Sequence, residues 1–438
     1  MTDIGFGALL FGVCLLLVAL RMPVAVAMFV VGGFGFASLT SWSAFFNLLN
    51  TAPFGRVSNY TLSVLPLFLL MGHLATRAGL SRLLFDAARA CVGHRRGGLA
   101  VSTIGGCAGF GAVCGSSIAT GATMAAVALP EMRRHGYSGA LATGTLAAGG
   151  TLGILFPPSI ILVLYAIITE QSIGKLFLAA LLPGVLATLG YSAAISAYVR
   201  LNPDAGPAAA PMPLAERIRC IGRAWPVAAI FVTVIGGIYL GVFTPTEAAA
   251  IGATAIALVA LVSGQLSRAA LSASLLDTAR ATGMIFLILI GAEVFNSFLA
   301  LSQIPATLAS TLGASGLAPM AILIGVLLVY LVLGCVMDSL AMILLTVPVF
   351  FPLVTGLDLG YTHEEIAIWF GVMALIAVEI GLITPPIGLN VYAINAMDPG
   401  VPLGESFRGT MPFLLSGFAL LAIILSVPSV CLWLAGLM

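Results

Sequence analysis

Apolar runs recur along the whole chain, most of them close to the roughly 20 residues that a helix needs to cross a bilayer. They fall at 4–20, 23–39, 60–76, 98–131, 140–169, 176–199, 224–243, 246–264, 283–300, 320–352, 366–397 and 410–436. Two of them, 98–131 and 320–352, exceed 30 residues and carry Gly and Ser clusters near their middles. Each is too long for one span and too broken for two, which predicts a helical hairpin that enters the membrane and turns back. The runs 140–169 and 366–397 hold a Pro-Pro pair at their centres, Pro157 with Pro158 and Pro385 with Pro386. Consecutive prolines remove two backbone donors and clash with the preceding turn, so both helices must break. The pattern predicts ten full crossings and both termini on one side.

The cations test that threading. With the N-terminus outside, the inner loops receive Arg21, the five arginines of 77–97, Arg133, Arg134, Arg200, the three of 217–223, Arg268, Arg280 and Arg408. Only Arg56 and Lys175 fall outside, so 15 of the 17 cations obey the positive-inside rule. The chain is 61% hydrophobic and 8% charged, with a mean hydropathy of +1.16, against about 25% charged residues in a soluble domain. That excludes a soluble enzyme, a nucleic-acid binder and a secreted disulfide scaffold, whereas the net charge of +1 says nothing of partners. The first run has an acid before it and Arg21 after it, the reverse of a signal peptide, and reads as a retained span with its basic end in the cytoplasm. Seven cysteines with no Cys-x-x-Cys pair sit mostly in apolar runs and read as packing residues.

Residues 200–223 form the one stretch that looks like a linker, and the segments on either side, 1–199 and 224–438, resemble each other. GILFPPSI (153–160) recurs as GLITPPIG (381–388), an offset of 228, and HGYS (135–138) recurs as LGYT (359–362). Phe177 and Pro183 are echoed by Phe407 and Pro412, and Met22-Pro23 by Thr244-Pro245. The threading gives the two copies opposite orientations, since the arginine-rich 77–97 corresponds to the charge-free 301–319. An inverted-topology repeat of this kind is the signature of an alternating-access secondary transporter.

In such folds the sites lie near the midplane, where broken helices free backbone groups. The first hairpin tip, GAVCGSSIATGATM, offers the hydroxyls of Ser116, Ser117, Thr120 and Thr123, oxygen ligands of the kind that a hard cation such as Na⁺ takes. Small residues that let helices pack closely are the rival reading. The second tip, GCVMDSLAMILLTVP, holds Asp338 and Ser339. A carboxylate at that depth costs about 2.5–3.5 kcal/mol, so Asp338 lines a cavity or holds a partner, or else caps the second arm of its hairpin. Thr151 and Ser159 flank the first Pro-Pro break, while Thr384, Asn390 and Asn395 flank the second. Symmetry then predicts two Na⁺ sites. One draws on Ser116, Ser117 and Thr120 with carbonyls around Gly381, Thr384 and Pro385. The other draws on Asp338 and Ser339 with Thr151, Gly153 and Pro157. Ser159, Asn390 and Asn395 are substrate candidates. Glu247 and Glu293 read as structural partners in hydrogen bonds between helices, and Glu379 stands two residues before Gly381. The four histidines show no metal-ligand spacing, and there is no Walker loop or nucleophile elbow. The chain therefore cannot use ATP itself, and its energy comes from an ion gradient or from downhill flow.

Five segments carry a specific resemblance: GSSIATGATMAAVALPEM, GTLGILFPPSI, GVFTPTEAAAIGA, MDSLAMILLTVPVFFPL and VEIGLITPPIGLN. They look like the signature segments of the large membrane subunit of TRAP (tripartite ATP-independent periplasmic) transporters, in order over about residues 1–435. The resemblance implies an elevator-type fold of the ion-transporter superfamily and Na⁺-coupled uptake of an organic acid such as a dicarboxylate or sugar acid. It implies no cofactor beyond Na⁺ as the coupling ion. It further implies a periplasmic solute-binding protein and a small membrane subunit of about four helices, which this chain has no room to include. The expected location is the bacterial inner membrane, with both termini periplasmic. The segment 77–97 would be an arm bracing the mobile domain. A partner-free dicarboxylate carrier of the same superfamily, a passive channel and an intramembrane enzyme are the competing readings.

Overall fold

The computed structural model describes residues 3–314 and 316–438. The side chain of Arg56, expected on the outer face, and Ser315, within the segment 301–319, lie outside the described residues. Five helices lead in: α1 (Asp3–Ala19), α2 (Val24–Leu39), α3 (Trp42–Val57), α4 (Val64–Arg77) and α5 (Leu80–Val92). A hairpin of α6 (Gly98–Cys114) and α7 (Ser117–Arg134) follows, then a broken helix, α8 (Gly139–Leu155) with α9 (Ile160–Thr169), and the long α10 (Ile173–Leu201). After α11 (Leu214–Arg223) and α12 (Trp225–Tyr239) come α13 (Pro245–Val262), α14 (Arg268–Ser302) and α15 (Ile304–Gly313). The second hairpin is α16 (Pro319–Gly334) and α17 (Ser339–Thr355), and the second broken helix is α18 (His363–Leu382) with α19 (Leu389–Met397). The described chain closes with α20 (Leu403–Ser426) and α21 (Ser429–Ala435). It holds no strand among the described residues.

Both expected hairpins and both expected breaks are present, and local chemistry makes them. At the first tip Gly115 takes φ +67°, which a residue without Cβ adopts freely, and Ser116 caps α7 by accepting from Ala119 N. At the second, Asp338 caps α17 by accepting from Ala341 N at 3.1 Å. Both Pro-Pro bonds are cis. The recurring HGYS and LGYT motifs share a left-handed glycine followed by a helix cap. Gly136 and Gly360 have φ +74° and +78°, and Ser138 and Thr362 then cap α8 and α18. Thr244 and Glu247 form a capping box at the head of α13, so Glu247 bonds within its own helix rather than across to another.

Some expectations change. Among the described residues, six helical stretches are long and apolar enough to cross a membrane, or eight if each bent pair counts as one span. The expected ten crossings include α1 and α2, whose 17 and 16 residues rise only about 25 Å against a hydrocarbon core of about 30 Å. The run 410–436 is two helices rather than one span, because Pro428 interrupts it. The linker 200–223 is held in place by backbone hydrogen bonds. Gly97 N donates to Gly206 O, Ser138 N to Ala205 O and Ala209 N to Gly93 O, so the segment is laced to the bases of the hairpin and of α8.

The two broken helices form the centre. Every described residue of α8 from Ala140 to Leu155 and of α18 from Ile366 to Leu382 is buried. Tyr165 on α9 donates to Ala367 O at 2.6 Å, and Trp369 donates to Ile424 O at 3.1 Å, which ties α18 to α9 and α20. Glycine pairs bring backbones into contact, Gly111 with Gly153, Gly121 with Gly150, and Gly334 with Gly381. The close-packing reading of the small residues therefore holds at these positions. Large apolar side chains such as Val232, Val262 and Leu415 are exposed on the surrounding helices, as a lipid-facing surface requires.

Candidate functional site

A cavity of about 700 Å³ lies where both hairpin tips meet α1, α2, α4 and α14. Cys114, Gly115, Ser116 and Ser117 line it from one tip, and Met337, Asp338 and Ser339 from the other. Ile154, Ile160 and Leu389, from the broken helices, complete that side. Each tip joins the C-terminus of one helix to the N-terminus of the next. Free carbonyls, which suit a cation, therefore sit beside free N–H groups, which suit an anion.

The expected crossing of tips and breaks does not occur. A Cβ on Gly153 would collide with Thr120 Oγ1 and lie 2.7 Å from Ser116 O, and one on Gly115 would lie 2.7 Å from Pro158 O. The first tip is thus seated on the first break, not on residues 381–385. Gly381 packs on Gly334, and Gly388 N donates to Cys335 O at 3.3 Å, so the second tip is seated on the second break, not on residues 151–157. The paired glycines of each hairpin and its following helix let their backbones touch within one copy. The copies interlock beyond the breaks, where α9 packs on α17 and α19 packs on α7 and α8.

The candidate residues divide accordingly. Ser116, Ser117, Asp338 and Ser339 share the cavity wall. Thr120 lies behind it, wholly buried, with its hydroxyl beside Gly153 and the Cys114 thiol and no oxygen or nitrogen partner among the described residues. Gly153 and Pro157 are buried beside the first tip, whereas Pro385 is exposed and Thr384 donates back to Ile380 O at 2.6 Å. Thr151 donates to Ala148 O and stands 3.4 Å from the Tyr191 hydroxyl, with Glu379 within electrostatic reach of that tyrosine. Thr151 and Glu379 occupy equivalent positions, 228 residues apart, and one Glu379 oxygen is buried without a partner among the described residues. The three substrate candidates do not line the cavity. Ser159 caps α9, Asn390 donates to Ala147 O, and Asn395 is engaged by Val401 O and Ser406 Oγ. Asn395 thus fixes the turn after α19.

Two cavity residues carry no signal in the sequence. His73 and Thr76 line the cavity from α4, which meets the first tip where Gly72 lies against Cys114, in a stretch that reads only as an apolar span. Among the described residues, four ion pairs between distant segments knit the flanks: Arg77 with Asp277, Arg89 with Glu131, Arg133 with Asp398, and Lys175 with Glu364.

Comparison with known proteins gives this arrangement its place. Residues 11–430 match the family described as "Tripartite ATP-independent periplasmic transporter, DctM component". The C4-dicarboxylate TRAP transporter large permease protein DctM of Pseudomonas aeruginosa is 39% identical over 380 residues, which cover 86% of this chain and 87% of that protein. The ectoine/5-hydroxyectoine TRAP transporter large permease protein UehC of Ruegeria pomeroyi is 34% identical, over 86% of each chain. Among solved structures, the Alcanivorax borkumensis YdaH transporter superposes with a TM-score of 0.63 over 88% of each chain, at 16% identity, and so shares the fold. With hairpins, breaks and matched length in agreement, the chain belongs to the family of DctM components of tripartite ATP-independent periplasmic transporters: a multi-pass membrane permease subunit, not an enzyme.

Proposed function

We propose that this protein is the large membrane subunit of a Na⁺-driven importer of an organic acid in the bacterial inner membrane. It works with a small membrane subunit and a periplasmic solute-binding protein, and both of its termini are periplasmic. The observation that carries this reading is the convergence of both hairpin tips, each seated on a Pro-Pro break, around one cavity. Each tip presents hydroxyl or carboxylate oxygens beside free helix-end carbonyls, the donor set of a hard monovalent cation, while the N-termini of α7 and α17 attract an anion.

Two Na⁺ sites follow. One is built from Ser116, Ser117 and Thr120 with carbonyls of residues 151–158, and the buried Thr120 hydroxyl, which has no oxygen or nitrogen partner among the described residues, is its marker. The other is built from Asp338 and Ser339 with carbonyls of residues 378–385, Thr384 among them. The relatives are named for a C4-dicarboxylate and for ectoine, and both compounds carry a carboxylate. That supports an organic acid and leaves the particular acid to the binding protein. The repeats 1–199 and 224–438 run in opposite directions. In support, each of the four long-range ion pairs joins segments that the cation distribution assigns to a single face of the membrane. Met22, Thr76 and Ala281 line the cavity next to Arg21, Arg77 and Arg280, so its mouth lies toward the arginine-rich, cytoplasmic face. The structure is then the inward-facing state of an elevator in which hairpins and broken helices move against α1–α4 and α12–α14.

The test is a Na⁺ titration of uptake by the assembled system. Ser117→Ala, Thr384→Ala and Asp338→Asn should each raise the Na⁺ concentration for half-maximal uptake before they alter capture by the binding protein. Unchanged Na⁺ dependence in all three, at normal expression, removes these residues from the ion sites.

A further inference from the structure

Away from the hairpin tips, an apolar groove of about 210 Å³ runs between α12 and α13. Ile230, Val234 and Gly252 are buried along it, while Trp225, Ala229 and Thr233 are exposed at its edge. Apart from the Trp225 indole, Thr233 is the one polar side chain among the described residues that line it. At one end the groove runs into charge. α11 and α12 join as a single stretch of 26 residues, Leu214–Tyr239, because Ala224 between them keeps helical angles, φ −83° and ψ −3°. Arg219, Arg223, Pro226, Ile230 and Thr233 then recur at steps of four, three, four and three, which sets them on one helical stripe. Both arginines are exposed, and neither has an ion-pair partner among the described residues. Arg217, on the opposite face, is instead spent on Ala90 O at 2.8 Å and Cys91 O at 3.3 Å. Asp86 is within electrostatic reach of Arg223, but it is shared with Arg82 and Arg89.

Trp225, 68% exposed, stands where the stripe turns from charged to apolar, the place of an aromatic anchor at a membrane interface. From Trp225 to Thr233 the groove climbs about 12 Å into the hydrocarbon. An apolar groove at that depth takes an apolar occupant, and two unpaired guanidinium groups at its mouth take an anion. One molecule offers both in that order along the membrane normal, and the charge selects it over a neutral helix or a neutral lipid. We propose that α11, α12 and α13 form a binding site for an anionic phospholipid of the arginine-rich, cytoplasmic leaflet. Arg219 and Arg223 hold its phosphate, Trp225 lies beside its glycerol, and one acyl chain fills the groove. The lipid braces α12 against α13 in the fixed frame, and the site is independent of the ion and substrate readings above.

The test places the complex of this subunit and its small membrane partner in phosphatidylcholine vesicles. These hold a rising fraction of phosphatidylglycerol brominated in its acyl chains, with brominated phosphatidylcholine as the neutral probe. Bromine quenches a tryptophan that it touches, and the part of the quenching lost in Trp225→Phe reports this site. Half of that part should be reached at a mole fraction about tenfold lower for the anionic lipid than for the neutral one. Arg219→Gln combined with Arg223→Gln should bring the two curves within about twofold. Ala255→Phe, which fills the groove from α13 and leaves both arginines in place, should raise the phosphatidylglycerol fraction needed at least threefold. The wild-type comparison decides even where a variant does not assemble. Equal curves for the two lipids in wild type make Trp225 an ordinary lipid-facing residue and overturn the site. Quenching of Trp225 in the subunit alone but not in the complex overturns it as well, because the small subunit then occupies the groove. Neither result bears on the Na⁺ titration above.

Discussion

Asp338 shows how one side chain can hold two roles that a suitable pair of substitutions separates. Its carboxylate accepts from Ala341 N at 3.1 Å and caps α17, and it also faces the cavity beside Ser339. Asparagine caps helices as well as aspartate does but carries no charge, while alanine does neither. Asp338→Asn should therefore keep the unfolding temperature of the purified subunit while raising its Na⁺ requirement. Asp338→Ala should lose about 1 kcal/mol of stability in addition. A loss of stability in Asp338→Asn equal to that in Asp338→Ala would make the charge itself structural. At this scale the sequence was informative wherever chemistry is local. The Asp338 cap follows from a carboxylate placed beside a helix start, whereas Glu247, read as a partner between helices, closes a capping box with Thr244 at the head of its own helix. The sequence was silent where function depends on what packs opposite, which is why Asn395 read as a free amide until Val401 and Ser406 were seen to engage it. For the same reason His73 carried no sign of its place.

Among the elements, the hairpins and breaks were legible because glycine clusters and paired prolines act on the chain that contains them. The pairing of tips with breaks was not, since it depends on which backbones approach, and glycine spacing permits several choices until the helices are placed. That approach has a measurable cost. Gly153→Ala puts a methyl group against Thr120 Oγ1 and Ser116 O, and overpacking of this kind costs about 1–3 kcal/mol. Gly283→Ala, on α14 with open space around it, removes a helix-interior glycine and should gain about 0.5–1 kcal/mol. Thermal unfolding of the two variants should move in opposite directions. Equal midpoints would mean that the first hairpin is not seated on its break. The short elements α3, α11 and α15 were less legible, because their helical form is fixed by neighbours rather than by a span-length apolar run. For α11, Arg217 Nε donating to Ala90 O supplies that tie.

For the whole molecule, the cation count gives an orientation that the ion pairs support, and single-cysteine labelling checks it. In a background without native cysteines, positions in 301–314 and 354–363 should react with an impermeant thiol reagent from the periplasmic side, and positions in 82–96 and 201–219 should not. Reaction of both sets from one side would end the inverted-repeat account. Orientation in turn fixes the energetics. Each charge crossing the membrane gains about 2.3 kcal/mol per 100 mV, so two Na⁺ carried with a dianion cancel electrically, and a less charged acid would be driven by voltage as well.

The most direct measurement of the central claim is accumulation of labelled organic acid in proteoliposomes under an inward Na⁺ gradient. It is made with this subunit alone, and again with its small subunit and loaded binding protein. Accumulation should appear only in the complete system and should collapse when the Na⁺ gradient is dissipated. Robust accumulation by this subunit alone, or uptake by the complete system that survives loss of the gradient, would contradict the account.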